Sequence, residues 1–373
     1  MQSAAIFCKV VDNYGDIGIC WRLARQLCGE HGLATTLWVD DLATFARIEP
    51  SVDVGAACQD VRGVTVRHWS GQDLACGPQD VADLVIEFFG VDLPPTYIEA
   101  MAQRTPRAVW INFEGLSAEE WVEGCHALPS MHPRLPLTKY FFFPGFTART
   151  GGLLRERDLL ARRAAFGPAQ RAALLRELGV TEEGRLLSLF CYPHAPLAAA
   201  FAAWRGADEP LTCLVPEGVA RDTVGAFLGA EPVAGAARRD GALTLRVIPF
   251  LPQERYDELL WSCDLNVVRG EDSFVRAQWA GRPFIWHIYP QSENLHHKKL
   301  RAFLGRYAPE LPALAAWSLA WNGAAPADDL AGPWRGLMAE MPRLAERALN
   351  WEKDMEGLGD VVSNLLAFAA THR

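Results

Sequence analysis

The sequence predicts an α/β protein built as two similar-sized halves. Three observations carry this. Strand-like apolar runs alternate with helix-length segments from residue 4 onward, and the pattern restarts at residue 186. Between the two sets, residues 145–184 change texture, with a flexible GFTARTGG loop followed by charged, helix-rich pieces. The chain is 373 residues long, half of them hydrophobic and 22% charged. That suits two globular domains and excludes a disordered chain, a coiled coil or a collagen-like repeat.

Residues 4–11 form a continuous apolar run, fit for a buried parallel strand. The loop DNYGD follows. Ile19, Cys20, Leu23, Ala24 and Leu27 then recur at helical spacing up to Gly32, which can cap the helix end. Further strands are expected at 35–39, 64–69, 84–89, 108–113 and 140–143. Polar, Gly- or Pro-bearing stretches separate them. In the middle stretch, LLRERDLLARRAAF and PAQRAALLRELG read as helices. The second set of strands is expected at 186–190, 211–215, 243–248, 265–268 and 284–288. After the Pro-bearing stretch 307–312 the chain turns helical and ends in VVSNLLAFAATHR.

Several function classes drop out. No apolar run reaches the ~18 residues of a membrane span, and the start has no basic region followed by a long apolar stretch, so no signal peptide is expected. A net charge of −9 argues against a large nucleic-acid footprint. The nine cysteines contain no C-x-x-C pair and match neither a zinc site nor a disulfide framework. They read as small buried hydrophobes in a reducing cytoplasm. The histidines are scattered; the adjacent pair His296-His297 reads as a solvated helix face. There is no G-x-S-x-G elbow, Walker loop or zincin motif, and no metal is expected.

Ligands of doubly wound sheets bind outside the carboxyl ends of the strands. With two such domains face to face, the cleft between them is the default site. The first constellation there is Asp12-Asn13-Tyr14-Gly15-Asp16, after the first strand and opening a helix. It is no dinucleotide fingerprint, since only Gly15 and Gly18 are present. Asp16 is placed as an N-cap. Two readings compete: a plain cap and turn, or a carboxylate pair serving as base or cation-holder. The second constellation, Arg269-Gly270-Glu271-Asp272-Ser273, precedes a helix expected at 274–280. A helix N-terminus, Arg269 and Ser273 suit a phosphate. Glu271 and Asp272 suit sugar hydroxyls. The alternative is a capping cluster with solvated charges.

The third constellation is Phe190-Cys191-Tyr192-Pro193-His194, in which Tyr192 can reach a phosphate and Phe190 a base. In PFLPQ, Phe250 can stack on a base and Gln253 pair with its edge; WHIYPQ contributes Tyr289 and Gln291. Core packing or loop definition competes at each position. Glu87 and Glu114 lie in or just after apolar strands, where an unpaired carboxylate is costly to bury. Strand-end capping and cleft chemistry both remain open for them.

The segments DNYGDIGICWRLARQL, PGFTARTGGLL and RGEDSFVRAQWAGRPFIWHIYPQ closely resemble the EarP family of protein-arginine rhamnosyltransferases, which modify elongation factor P in certain bacteria. The likeness covers essentially the whole chain. It implies a GT-B fold, two facing Rossmann-like domains with a central cleft. It implies an inverting, metal-independent transfer of L-rhamnose from dTDP-β-L-rhamnose to one arginine of elongation factor P. No cofactor, nucleic acid or membrane partner is implied. The family's acceptor domain corresponds to residues 1–152 with a C-terminal helix at about 355–373. Its nucleotide-sugar domain corresponds to 165–354, with a linker at about 153–164. The family's essential aspartates match Asp12 and Asp16. Its nucleotide-site residues match Phe190, Tyr192, Phe250, Gln253, Arg269, Glu271, Asp272, Ser273 and Tyr289. Asn13, Tyr14, Gly15 and Glu114 are further cleft candidates. The Arg-rich segment 155–163 can meet an acidic translation factor or serve as a solvated helix. The competing readings are another GT-B transferase, a nucleotide-sugar epimerase, a non-catalytic nucleotide-sugar binder and a dehydrogenase.

Overall fold

A computed structural model describes residues 1–71, 74–180 and 184–373. Residues 181–183 of the charged middle stretch lie outside the described residues. The chain divides into two compact units, one of residues 1–157 and 355–373, the other of residues 158–354.

The first unit carries eight strands: β1 Ser3–Cys8, β2 Ala34–Val39, β3 Cys58–Val61, β4 Val64–His68, β5 Leu84–Phe88, β6 Val109–Phe113, β7 Pro129–Met131 and β8 Thr138–Phe142. They form one sheet in the order β3-β4-β2-β1-β5-β6-β8-β7. The inner strands run parallel, and β3 and β7 close the edges antiparallel. The runs LVIEF and VWINF become strands because they are buried on both faces. Phe7 on β1 anchors one side of the core, stacked on Trp38 and edge-on to Trp69 and Tyr97. Burying one such side chain stabilises by about 1.5–3 kcal/mol.

The second unit carries β9 Arg185–Leu189, β10 Leu211–Pro216, β11 Ala237–Asp240, β12 Leu243–Ile248, β13 Leu265–Arg269 and β14 Phe284–His287. Their order is β11-β12-β10-β9-β13-β14. All pairs are parallel except β11 with β12. Leu186, Leu214, Ile248, Leu259 and Cys263 pack one face of this sheet.

Among the parallel strands of each sheet the chain order reverses at one place. The first strand, β1, lies between β2 and β5; its counterpart β9 lies between β10 and β13. These switch points open a crevice at the carboxyl ends of the strands. The residues after β1, β9 and β13 are those that the sequence singles out.

Several expectations need correction. The first strand stops at Cys8, and the helix after it spans Tyr14–Gly29. Asp16 therefore sits inside the first helical turn and is not the N-cap; Asn13 holds that place, with φ 38°. Residues 153–158 form no helix, and only Leu159–Ala165 of that segment is helical. Its arginines are engaged within the chain and do not form a plain solvated face. Arg155 pairs with Glu356, Arg157 with Glu30, Arg162 with Asp158 and Arg163 with Glu352. His296 is buried on the helix Leu295–Tyr307, its Nδ1 accepting from Gln291 N–H, while His297 meets the Asn322 carbonyl. Five of the nine cysteines are buried and Cys58 is exposed. Among the described residues no helix is long and apolar enough to cross a membrane.

Candidate active site

In the first unit the site grows from the turn between β1 and the helix Tyr14–Gly29. The backbone N–H groups of Val11 and Asp12 both donate to Oδ2 of Asp16, at 2.7 and 2.8 Å. Among the described residues no hydrogen bond ends on Oδ1. One carboxylate oxygen thus fixes the loop while the other stays available for chemistry. Burial pushes the Asp16 carboxyl above the ordinary aspartate value, reinforced by Asp40 and opposed by the two N–H donors. Asp12 accepts from Gly15 N–H through its carbonyl at 2.8 Å. A Cβ at Gly15 would stand 2.7 Å from Asp12 Oδ2, so position 15 needs glycine to leave room for that carboxylate. Asn13 and Tyr14 complete the turn.

The two glutamates part company. Glu87 is buried in β5, pairs with Lys139 Nζ at 2.8 Å, and has its carboxyl raised by burial. It is a strand-bound ion pair. Glu114 follows β6, where Asn112 Nδ2 donates to it at 2.7 Å. Asn112 Oδ1 accepts in turn from Gly90 N–H at 3.0 Å. A single buried amide therefore ties the ends of β5 and β6 together. Sequence reading passed over Asn112, which is hidden inside an apolar strand.

In the second unit the guanidinium of Arg269, at the end of β13, lies over the ring of Phe190 at 4.4 Å and that of Tyr192 at 4.9 Å. It also donates to the Cys191 carbonyl at 3.1 Å. These contacts set the planar fork in one orientation before any ligand arrives. Phe250 packs edge-on against Phe190, and Tyr289 edge-on against Tyr192. Gln253, at the start of the helix Gln253–Ser262, donates to Asp272 at 3.1 Å. Asp272 opens the helix Asp272–Trp279, with Glu271 at its N-cap. Ser273 Oγ accepts from the Arg269 N–H at 3.1 Å and donates to the Arg269 carbonyl, so it closes the turn. Gly270 adopts φ +62°, a conformation that favours glycine, and its carbonyl receives the Trp286 indole N–H at 2.7 Å.

Behind these residues Arg276 and Asp257 form a bidentate pair at 2.9 and 2.7 Å, both side chains 1% exposed. It joins the helix that starts with Gln253 to the helix that starts with Asp272. The histidines are less scattered than they read: His194 and His287 lie 3.1 Å apart beside Tyr192. Among the described residues no group of three His, Cys, Asp or Glu side chains could hold a metal ion.

A pre-set cation with aromatic walls and a helix start suits a nucleoside diphosphate; a buried carboxylate tethered through one oxygen suits a cationic group. Residues 4–370 match the family described as elongation factor P (EF-P) rhamnosyltransferase EarP. The chain belongs to the EarP family. It is 49% identical over 374 residues to the protein-arginine rhamnosyltransferase of Pseudomonas putida, covering 97% of each chain. The Pseudomonas aeruginosa protein of the same name is 47% identical, covering 99% of each. A solved structure from work on EarP-mediated arginine glycosylation of translation elongation factor EF-P is 36% identical, with a TM-score of 0.69 and 99% of each chain covered. The enzyme class is accordingly protein-arginine rhamnosyltransferase, and the fold is GT-B. A UDP-GlcNAc 2-epimerase of Neisseria meningitidis matches with a TM-score of 0.54 at 8% identity, a likeness of fold alone.

Proposed function

We propose that this EarP-family enzyme moves L-rhamnose from dTDP-β-L-rhamnose to one arginine of elongation factor P, in the cytoplasm, with inversion and without a metal. The observation that carries this reading is Asp16, buried, with one oxygen tethered and the other left for a substrate. An arginine acceptor is cationic, and its nitrogen lone pairs are delocalised. It therefore needs a carboxylate that both docks it and takes a proton.

In this reading a guanidinium nitrogen attacks the anomeric carbon of rhamnose. The bond from that carbon to the diphosphate oxygen breaks, and dTDP leaves with the electron pair. The proton lost by the nitrogen goes to Asp16, while Asp12 docks the guanidinium. Glu114, after β6 and two strands from β1 in the sheet, is a further candidate carboxylate of the first unit. Arg269, Tyr192 and the start of the helix Asp272–Trp279 stabilise the charge developing on the leaving group. Glu271 and Asp272 receive hydroxyls, Phe190 and Phe250 flank the thymine, and Gln253 meets its edge. Tyr289 bounds the sugar side.

The test is mass spectrometry of elongation factor P incubated with the enzyme and dTDP-rhamnose. One deoxyhexose on one arginine is expected, formed to within about twofold in excess EDTA. No mass gain would overturn the acceptor or the donor. A loss in EDTA restored by magnesium would show that the aspartates serve a metal.

The donor half of the reading has its own check. Arg269→Ala should weaken dTDP binding by roughly tenfold or more, the usual effect of losing a charged hydrogen bond. Unchanged affinity by calorimetry would move the diphosphate elsewhere.

A further inference from the structure

We propose that His194 is a further donor-site residue, whose Nδ1–H, held in that tautomer by His287, donates a hydrogen bond to the diphosphate of the nucleotide sugar. The inference rests on the donor site proposed for Arg269 and Tyr192 and extends it.

The assignment follows from donors and acceptors. The backbone N–H of Tyr192 points at Nδ1 of His287 at 3.2 Å. An amide N–H can only donate, so Nδ1 of His287 is the acceptor and its proton sits on Nε2. That Nε2 lies 3.1 Å from Nε2 of His194. Since His287 donates there, Nε2 of His194 accepts, and the proton of His194 is left on Nδ1. Its two nitrogens look out in diverging directions, so the one bearing the proton is turned away from His287. Two neutral rings in series thus carry a hydrogen-bond direction from a buried main-chain amide to an exposed side chain.

The surroundings point to an anion. His194 is exposed and stacks on Tyr192 with ring planes 8° apart, while Arg269 lies over the same tyrosine. His287 is fully buried, with Trp321 packed edge-on. Burial holds its imidazole well below the ordinary histidine value, and the neighbouring His194, Arg269 and His296, each of which would repel a charge placed on it, act in the same direction. Burial also lowers His194. Both rings therefore stay neutral near pH 7 and keep the relay intact. The two histidines follow β9 and end β14, and β13 between those strands carries Arg269.

The test uses the full-length enzyme, dTDP as the probe and calorimetry as the readout, with melting temperature as a control for folding. In His194→Asn the side-chain amide N–H stands near the place of Nδ1–H. In His194→Gln the amide replaces Nε2 and the Nδ1 donor is lost. His194→Gln and His194→Ala should each weaken dTDP about tenfold, and His194→Asn threefold or less. Long-range nitrogen–proton spectra near pH 7 should show the proton of His194 on Nδ1 and that of His287 on Nε2. Wild-type affinity in His194→Gln and His194→Ala, with Arg269→Ala impaired, would overturn the role of His194 while leaving the donor site standing. Equal losses in all three His194 variants, or a His194 proton on Nε2, would also overturn it. Wild-type affinity in Arg269→Ala would bring down the donor-site reading itself, and the inference with it.

Discussion

Asp16→Asn is expected to fold normally, to bind dTDP-rhamnose as the wild type does, and to lose about 10²–10⁴-fold in kcat, the usual effect of removing a general base. The asparagine oxygen can still accept from the loop N–H groups that Oδ2 now holds. What disappears is charge and basicity. Stability should not fall through ionisation. The folded Asp16 carboxyl is raised above its unfolded value, so its contribution favours folding at low pH. That contribution is lost as pH rises through the folded value. At neutral pH the ionised group opposes folding, and asparagine removes this cost. The same upward shift places the acid limb of the wild-type rate profile above the ordinary aspartate range, with activity rising as Asp16 ionises. Melting temperature, donor affinity and single-turnover rate on one preparation decide the matter. A stable Asp16→Asn protein with near-normal single-turnover rate would end the assignment as base. A rate loss that merely tracks a lower melting temperature would mean that the carboxylate only braces the turn.

Asp257→Ala is expected to cost about 3–5 kcal/mol of stability, because it strands a buried guanidinium. Arg276 and Asp257 have no solvent to replace a lost partner, since both side chains are 1% exposed. Denaturant unfolding measures the loss. The effect should reach function too, since the pair fixes the helices that begin at Gln253 and Asp272. The double change Asp257→Leu with Arg276→Met leaves no unpaired charge and should recover much of the stability. A loss below about 1 kcal/mol in Asp257→Ala would show that the pair is relieved by local rearrangement.

The parts legible in the sequence are those whose local pattern matches their long-range environment. LVIEF and DLNVV read as strands because burial on both faces demands unbroken apolar runs. The edge strands CQDV, PSM and ARRD did not, since they are short, polar and partly exposed. Their pairing is decided by the neighbouring strand and not by their own composition. The sequence pattern places Asp16 at the N-cap, and the structure differs for a local reason. Asn13 takes an unusual backbone conformation, so the helix begins at Tyr14 and the aspartate reaches back from within it. The site after β13 was readable as a Gly-bearing turn before a helix. The contact between His194 and His287 was not, because 93 residues separate them and only the sheet order brings them together.

The first unit is assembled from two stretches of chain that the second unit interrupts. Its last helix, Val361–Thr371, is held by Asp360, which accepts from Gln26 Nε2, and by Asn364, which donates to the Gly151 carbonyl. On the ribosome, residues 158–354 are therefore all available before the first unit has its final piece. The unit that starts first in synthesis finishes last. Until then the surface that receives the buried side chains of Val361, Val362, Leu365 and Ala369 stays uncovered.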